Sequence, residues 1–374
     1  MFANAIAICL HPGEGVALQL TLFSELRTFA LARSPARVGP LPPAMLICNP
    51  EGCFQPLFAA VRSSALPGDY VENTEHIRIG TAGWSYKDWE GIVYPAALRL
   101  TKQHPLDYLP LFLDLIEINT SFYGHIRPEL AKLWCKKVEA LNPNFTFTAK
   151  LHRSFTHSPV AVIEGTSAAT IKPTDEDEIQ AKEGLEALAS ERRLGALLIQ
   201  FPVSFKNTDE NRDYLEWLLR QFIEFPRVVE VRHSSWNREE TLRYFSQKNV
   251  AFCNIDQPVL GRSLAPTQHV TSEIGYVRLH GRNYDQWFDC DNRNDRYNYL
   301  YSEAELASWK AKVENVARQS QVTYVVANNH FQGKAVVNAI QMKHLISGRP
   351  QKVPEMLLKH YPELEKVATA TTAA

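Results

Sequence analysis

The chain has 374 residues, 45% of them hydrophobic and 22% charged, with 40 Lys and Arg against 41 Asp and Glu for a formal net charge of −1. This globular composition fits one large domain or two to three of average size. It excludes a nucleic-acid partner held by bulk electrostatics, while leaving room for a local basic groove. No stretch approaches the roughly 18 unbroken apolar residues of a membrane span. The six scattered cysteines build no dense disulfide framework and suit a reducing, cytoplasmic setting.

Residues 1–75 carry two Pro-rich patches, 34–43 and 50–67, and no sustained periodicity. They read as an irregular, poorly ordered N-terminal extension. Its apolar start, Met1 to Leu10, lacks the positive n-region of a secretory signal, and Arg27, Arg33 and Arg37 only weakly suggest a transit peptide. From Ile77 the pattern changes. Short β-branched or aromatic runs predict strands at Ile77–Gly83, Leu115–Ser121, Phe145–Leu151, Ala196–Phe201, Val228–Arg232, Ala251–Asp256, Gly275–His280 and Thr323–Asn328. Helical spacing of apolar residues predicts helices at Pro128–Val138, Asp175–Arg193, Asp209–Phe222, Arg238–Gln247, Glu303–Arg318 and Lys334–Ile346. Asp209 and Ser302 are expected N-caps, the latter with Glu305 completing a capping box.

Eight strands alternating with helices over residues 76–350 give an α/β class, a (β/α)8 TIM-type barrel, followed by a C-terminal tail at 351–374. A doubly wound sheet is the alternative. It would more often carry a Gly-rich nucleotide loop after the first strand. Here Gly80-Thr81-Ala82-Gly83 runs into Trp84, and no G-x-G-x-x-G appears.

In a barrel the outer face of each strand meets a helix and is apolar, so the alternate residues face inward. This parity turns Glu117, Asn119 and Ser121 inward, and likewise Thr146, Thr148 and Lys150, then Gln200, then Glu230 and Arg232. The sixth strand is read with Cys253 and Ile255 outward and Asn254 and Asp256 inward, the seventh with Tyr276, Arg278 and His280 inward. The eighth leaves either Asn328 or Asn329 facing in. Three carboxylates (Glu117, Glu230, Asp256) thus share the interior with three cations (Lys150, Arg232, Arg278). One reading is a structural ion-pair network, with Glu117 its deepest member. The other is a site at the C-terminal mouth, where active sites of this fold lie. The balance of charge argues against a metal there, although Glu230, Asp256 and His280 could form one. No cofactor is expected.

The loop Gly83 to Gly91 concentrates Trp84, Tyr86 and Trp89, which either stack on a sugar or base or form a lid over the hydrophobic end of the barrel. Asn119 and Tyr123 end the second strand. His152, His157, His233 and His330 read as hydrogen-bonding loop residues. Tyr297, Tyr299 and Tyr301 alternate as an extended segment packing on the seventh loop.

The segments GTAGWSYKDWEGIVYP (80–95), IEINTSFYG (116–124), FTFTAKLHRSFTH (145–157), EVRHSSW (230–236), YVRLHGRN (276–283) and VVANNHFQGKAVVNA (325–339) together resemble the YecE-like family, also called domain of unknown function 72. The resemblance covers residues 77–346 and implies a TIM-type barrel. It hands over no reaction, and it leaves the first 75 residues outside.

The residues themselves suggest an enzyme with hydrolase-like acid–base chemistry. Glu230, Asp256 and His280 are the catalytic candidates. Lys150, Arg232 and Arg278 would hold a small anionic or sugar-like ligand, with Asn119, Tyr123, Trp84, Tyr86, Trp89, Gln200 and Asn328 around it. Glu230 and Asp256, from neighbouring strands, would supply the paired carboxylates of a glycosidase. The alternatives are a metal-dependent isomerase or phosphodiesterase, and a non-catalytic barrel that binds a ligand or associates with nucleic acid.

Overall fold

A computed structural model describes residues 74–95, 98, 100–157, 173–287 and 295–369, within a unit that runs from Asp69 to Ala374. The expected N-terminal extension, apart from Thr74 and Glu75, lies outside the described residues. Eight parallel strands form one closed barrel: β1 (Ile77–Ala82), β2 (Leu115–Ile118), β3 (Thr146–Lys150), β4 (Leu194–Gln200), β5 (Arg227–Glu230), β6 (Ala251–Asp256), β7 (Ile274–Leu279) and β8 (Val322–Ala327). Each pairs with the next, and β8 closes on β1 through Ile77–Thr323 to Thr81–Ala327. All eight expected strands are present, shorter by a residue or more at several ends.

The six expected helices are present as Pro128–Glu139, Asp175–Ser190, Asp209–Gln221, Glu239–Gln247, Glu303–Ala317 and Lys334–Ser347. Ser302 caps its helix, with Glu305 closing the capping box. The Asp209 helix is capped one residue earlier than expected. Thr208 Oγ1 accepts the Asn211 N–H at 3.3 Å, which leaves Asp209 in the first turn, where its charge complements the positive end of the helix dipole.

Between the strands and the helices lies a continuous apolar layer that includes Ile116, Ile118, Phe147, Val229 and Val277. The barrel closes tightly at β1. A β-carbon on Gly80 would stand 1.8 Å from the Leu115 carbonyl oxygen, so no larger residue fits there. The expected tail beyond residue 350 is instead packed structure as far as Thr369. Leu357 and Leu364 are fully buried, Tyr361 Oη donates to the Gln332 carbonyl at 2.9 Å, and Gln351 bridges to Ala368. The helix Glu355–His360 contributes Leu357 to this contact, which is why the chain does not fray after the last barrel helix.

Candidate functional site

Register fixes which side chains enter the barrel, because residues paired across parallel strands face the same way. Glu117 pairs with Thr148, Lys150 with Leu198, and Gln200 with Glu230, so β2 to β5 carry the inward set expected from parity. In β7 and β8, Tyr276 pairs with Tyr324 and Arg278 with Val326, again inward.

The sixth strand reverses the expectation. Cys253 pairs with the inward Tyr276 and Ile255 with the inward Arg278, so Asn254 and Asp256 face out of the barrel. Their new partners explain the reversal. The Asn254 amide donates to the His269 and Tyr276 carbonyls, and its oxygen accepts from Thr267 and the His269 N–H. Asp256 accepts from the Arg282 guanidinium at 2.9–3.1 Å. Both side chains therefore anchor the segments outside β6 and leave the interior to Cys253, whose Sγ lies 4.0 Å from Glu230. Glu230 and Asp256 accordingly stand on opposite faces of the sheet. Neither the carboxylate pair expected for a glycosidase nor the Glu230–Asp256–His280 metal triad is assembled.

Without Asp256 the interior holds two carboxylates, both fully buried, against Lys150, Arg232 and Arg278, with Arg78 of β1 also turned inward beside Tyr324. Arg278 lies between the carboxylates. One amino group donates to Glu117 at 2.7 Å and the other to Glu230, while Tyr276 Oη also donates to Glu117 at 2.9 Å. Arg232 Nε adds a bond to Glu230 at 2.8 Å. Burial works against ionised Glu230, but Arg278, Arg232 and His280 outweigh it and hold the carboxyl well below its usual range. Above it, His280 has the Asn328 amide nitrogen 2.9 Å from Nδ1 and Glu230 3.3 Å from Nε2. An amide N–H into Nδ1 makes the ring the Nε2–H tautomer. Burial drives its pKa down to about 3 against the pull of Glu230, so both ring nitrogens of a neutral imidazole are engaged. Asn328, rather than Asn329, is the inward residue of the pair. Asn329 bonds Tyr299 and Asn338 outside.

Lys150 differs from this network. It is half-buried at the end of β3, its Nζ lies 3.9 Å above the Phe122 ring, and among the described residues no carboxylate stands within salt-bridge distance. Burial, with Arg278 and Arg232 nearby, lowers its pKa from 10.5 to about 7. Two further residues lie at the mouth: His157, read from the sequence only as a hydrogen-bonding loop residue, and Trp287, which the sequence reading did not single out. His157 meets the Phe122 ring edge-on and sits 3.5 Å from the Gln200 amide. Burial, Lys150 and Arg232 bring it down to about 4. Trp287 faces the edge of His280 at 6.5 Å between ring centres. Both lie beyond the strand ends, where alternation no longer assigns a direction.

The aromatic loop divides. Trp84 and Trp89 are buried in the outer core. Trp84 packs edge-on against Trp134, and Trp89 Nε1 donates to the His330 carbonyl at 2.6 Å. Of the three, Tyr86 alone reaches the mouth, stacked on the His330 ring at 4.2 Å and within reach of the Asn119 amide. Asn119 Oδ1 is buried without a hydrogen-bond partner among the described residues. Tyr123 is 66% exposed and leans away against Phe122. Ser121, expected inward, lies past the end of β2 and donates to the Lys150 carbonyl at 2.6 Å, joining the two strand ends. Tyr301 meets the seventh loop as expected, its hydroxyl accepting the Gly281 N–H at 2.8 Å.

A family model described as "Protein of unknown function DUF72" matches residues 78–363. The chain belongs to this family. UPF0759 protein YunF of Bacillus subtilis is 27% identical over 282 residues, covering 72% of this chain and 94% of YunF. Among solved structures, a DUF72 protein of Thermotoga maritima is 32% identical with a TM-score of 0.61, covering 72% of this chain and 98% of the other. One of Enterococcus faecalis is 25% identical with a TM-score of 0.60, covering 72% and 95%. These DUF72 relatives agree with the barrel and its extent. No helix among the described residues is long and apolar enough to cross a membrane.

Proposed function

We propose that the C-terminal mouth of the barrel binds a small anionic, sugar-like ligand and acts on it by acid–base chemistry, with Lys150 as the proton-exchanging group. One observation carries this reading: at the C-terminal mouth Lys150 is an interior cation without a carboxylate partner among the described residues, held near neutral pH. A phosphate or carboxylate would supply the missing partner, and Arg232, with its side chain 14% exposed, stands ready as a second donor. An amine that exchanges its proton near pH 7 is suited to serve as base and acid in turn. Asn119 Oδ1 offers a free acceptor for a ligand hydroxyl, and Tyr86 offers a flat face for a sugar ring. Glu230 positions Arg232 through the bond to its Nε, and neither Glu230 nor His280 exchanges protons, since one is locked ionised and the other neutral. The free thiols of Cys135 and Cys253 fit a reducing, cytoplasmic setting.

The test is calorimetric titration with a panel of sugar phosphates and sugar acids at pH 6 and pH 8.5. Binding should weaken as pH rises through about 7, because the anion needs the charged amine. Lys150→Met should abolish binding at both. A panel ligand bound equally at both pH values, and unaffected by the substitution, would remove the reading.

A further inference from the structure

Outside the barrel, on the flank of β3, three side chains from separate elements meet: His125 from the loop after β2, His152 just past β3, and Asp177 from the first turn of the helix Asp175–Ser190. Each offers one ligand atom, and these atoms all lie within 4.8 Å of one another. The two imidazoles face each other with ring centres 4.4 Å apart. His125 Nε2 stands 3.9 Å from Asp177 Oδ1, beyond hydrogen-bond range but close to the spacing of two atoms that share an ion. Donors around a zinc ion at about 2.0–2.2 Å lie somewhat over 3 Å apart, so shifts of about an ångström or less would complete the set.

The orienting contacts behind the ligand atoms are already made. Asp177 Oδ2 accepts from the Thr174 N–H at 3.0 Å and from Thr174 Oγ1 at 2.9 Å, which leaves Oδ1 turned to the histidines. His152 Nδ1 has Ser154 Oγ at 2.9 Å and the Ser154 N–H at 3.3 Å, so for Nε2 to ligate the ring must carry its proton on Nδ1 and donate it to that Oγ. Metal ligands typically have such supports. A cavity walled by Ile126, Leu151, Leu185 and Leu197 borders both histidines.

We infer that His125, His152 and Asp177 form a binding site for a divalent transition-metal ion of the zinc class. Two imidazoles and one carboxylate select such an ion over calcium or magnesium, which prefer all-oxygen shells. Three protein ligands leave a fourth tetrahedral position for water or a small ligand. The cavity beside it is also lined by Ser121 and Lys150, but none of its three ligand residues is one proposed to act at the mouth, so it does not depend on that reading.

The test uses the full chain, stripped with a chelator and titrated with Co²⁺ and Zn²⁺. The expected result is a Co²⁺ visible absorption band that saturates with this site, and at least tenfold weaker Zn²⁺ binding in both His125→Gln and Asp177→Asn. Asp177→Asn keeps an oxygen for the Thr174 cap and so preserves the helix start. Melting of each metal-free variant checks that it is folded, and if one is not, the other decides. Absence of the band, or unchanged Zn²⁺ affinity in a folded variant, would overturn the assignment.

Discussion

The barrel contains two groups of charged residues that look alike in sequence and behave differently in space. In the middle, Glu117, Arg278 and Glu230 are almost fully buried and bond one another. At the rim, Lys150 carries the same kind of charge on the same kind of strand position and has an aromatic ring in place of a carboxylate. A buried cation between two acids supports the fold, and its removal leaves Glu117 without a cation and Glu230 with Arg232 alone. A half-buried amine crowded by other cations is a source of binding and proton transfer. The difference lies in one strand register, which sends Asp256 to the outer side and removes the carboxylate that would otherwise have balanced the rim.

This contrast breaks first if Arg278 is replaced. Arg278→Met should destabilise the protein by about 3–5 kcal/mol, the cost of a broken buried pair, as read by urea unfolding. A loss below about 1 kcal/mol would mean the central network contributes little. Arg232→Met is the intermediate case, because Glu230 keeps Arg278 and His280. We expect a loss of about 1.5–3 kcal/mol, the value of a hydrogen bond to a charged group, together with weaker ligand binding.

Lys150→Met should do the opposite. Its folded pKa of about 7 lies below the ordinary 10.5, so the charged amine costs stability fully below pH 7. That cost fades between pH 7 and 10.5 and vanishes above. The variant should therefore melt higher than the parent at pH 6, by roughly 2–4 °C for each kcal/mol recovered, and match it near pH 10.5. A variant that melts lower at pH 6 would place Lys150 with the structural group. The smallest effect belongs to Tyr123→Ala. At 66% exposure it should change stability by less than about 0.5 kcal/mol and leave ligand binding intact. A loss of binding would extend the mouth to this residue.

The barrel was legible because its strands are apolar on the face that meets the helices, as Ile116 and Ile118 or Val229 and Val231 show. The same rule read the inward positions of Lys150, Glu230 and Arg278. It failed on Ala251–Asp256, where Phe252 occupies one parity and Cys253 and Ile255 the other, so alternation favours neither face strongly. What decides is tertiary: the amide of Asn254 finds four partners in the segment outside β6 and at the β7 backbone, and Asp256 finds Arg282. Aromatic density misled for a related reason. Trp84 and Trp89 follow the strand as Tyr86 does, but only the packing of Trp134 and the His330 carbonyl shows that they are core. The grouping of His125, His152 and Asp177 left no trace in spacing, since the three come from different elements.

The bond from Arg278 to Glu117 also has a consequence for the order of events during synthesis. The two residues are 161 positions apart, so at about 5–20 residues per second Glu117 leaves the ribosome roughly 8–30 s before its cation exists. Among the described residues no other cation bonds it in the finished barrel, so burying it before β7 is made would leave its charge unpaired. A dry half-barrel of the first four strands would therefore carry the cost of a buried, unpaired charge.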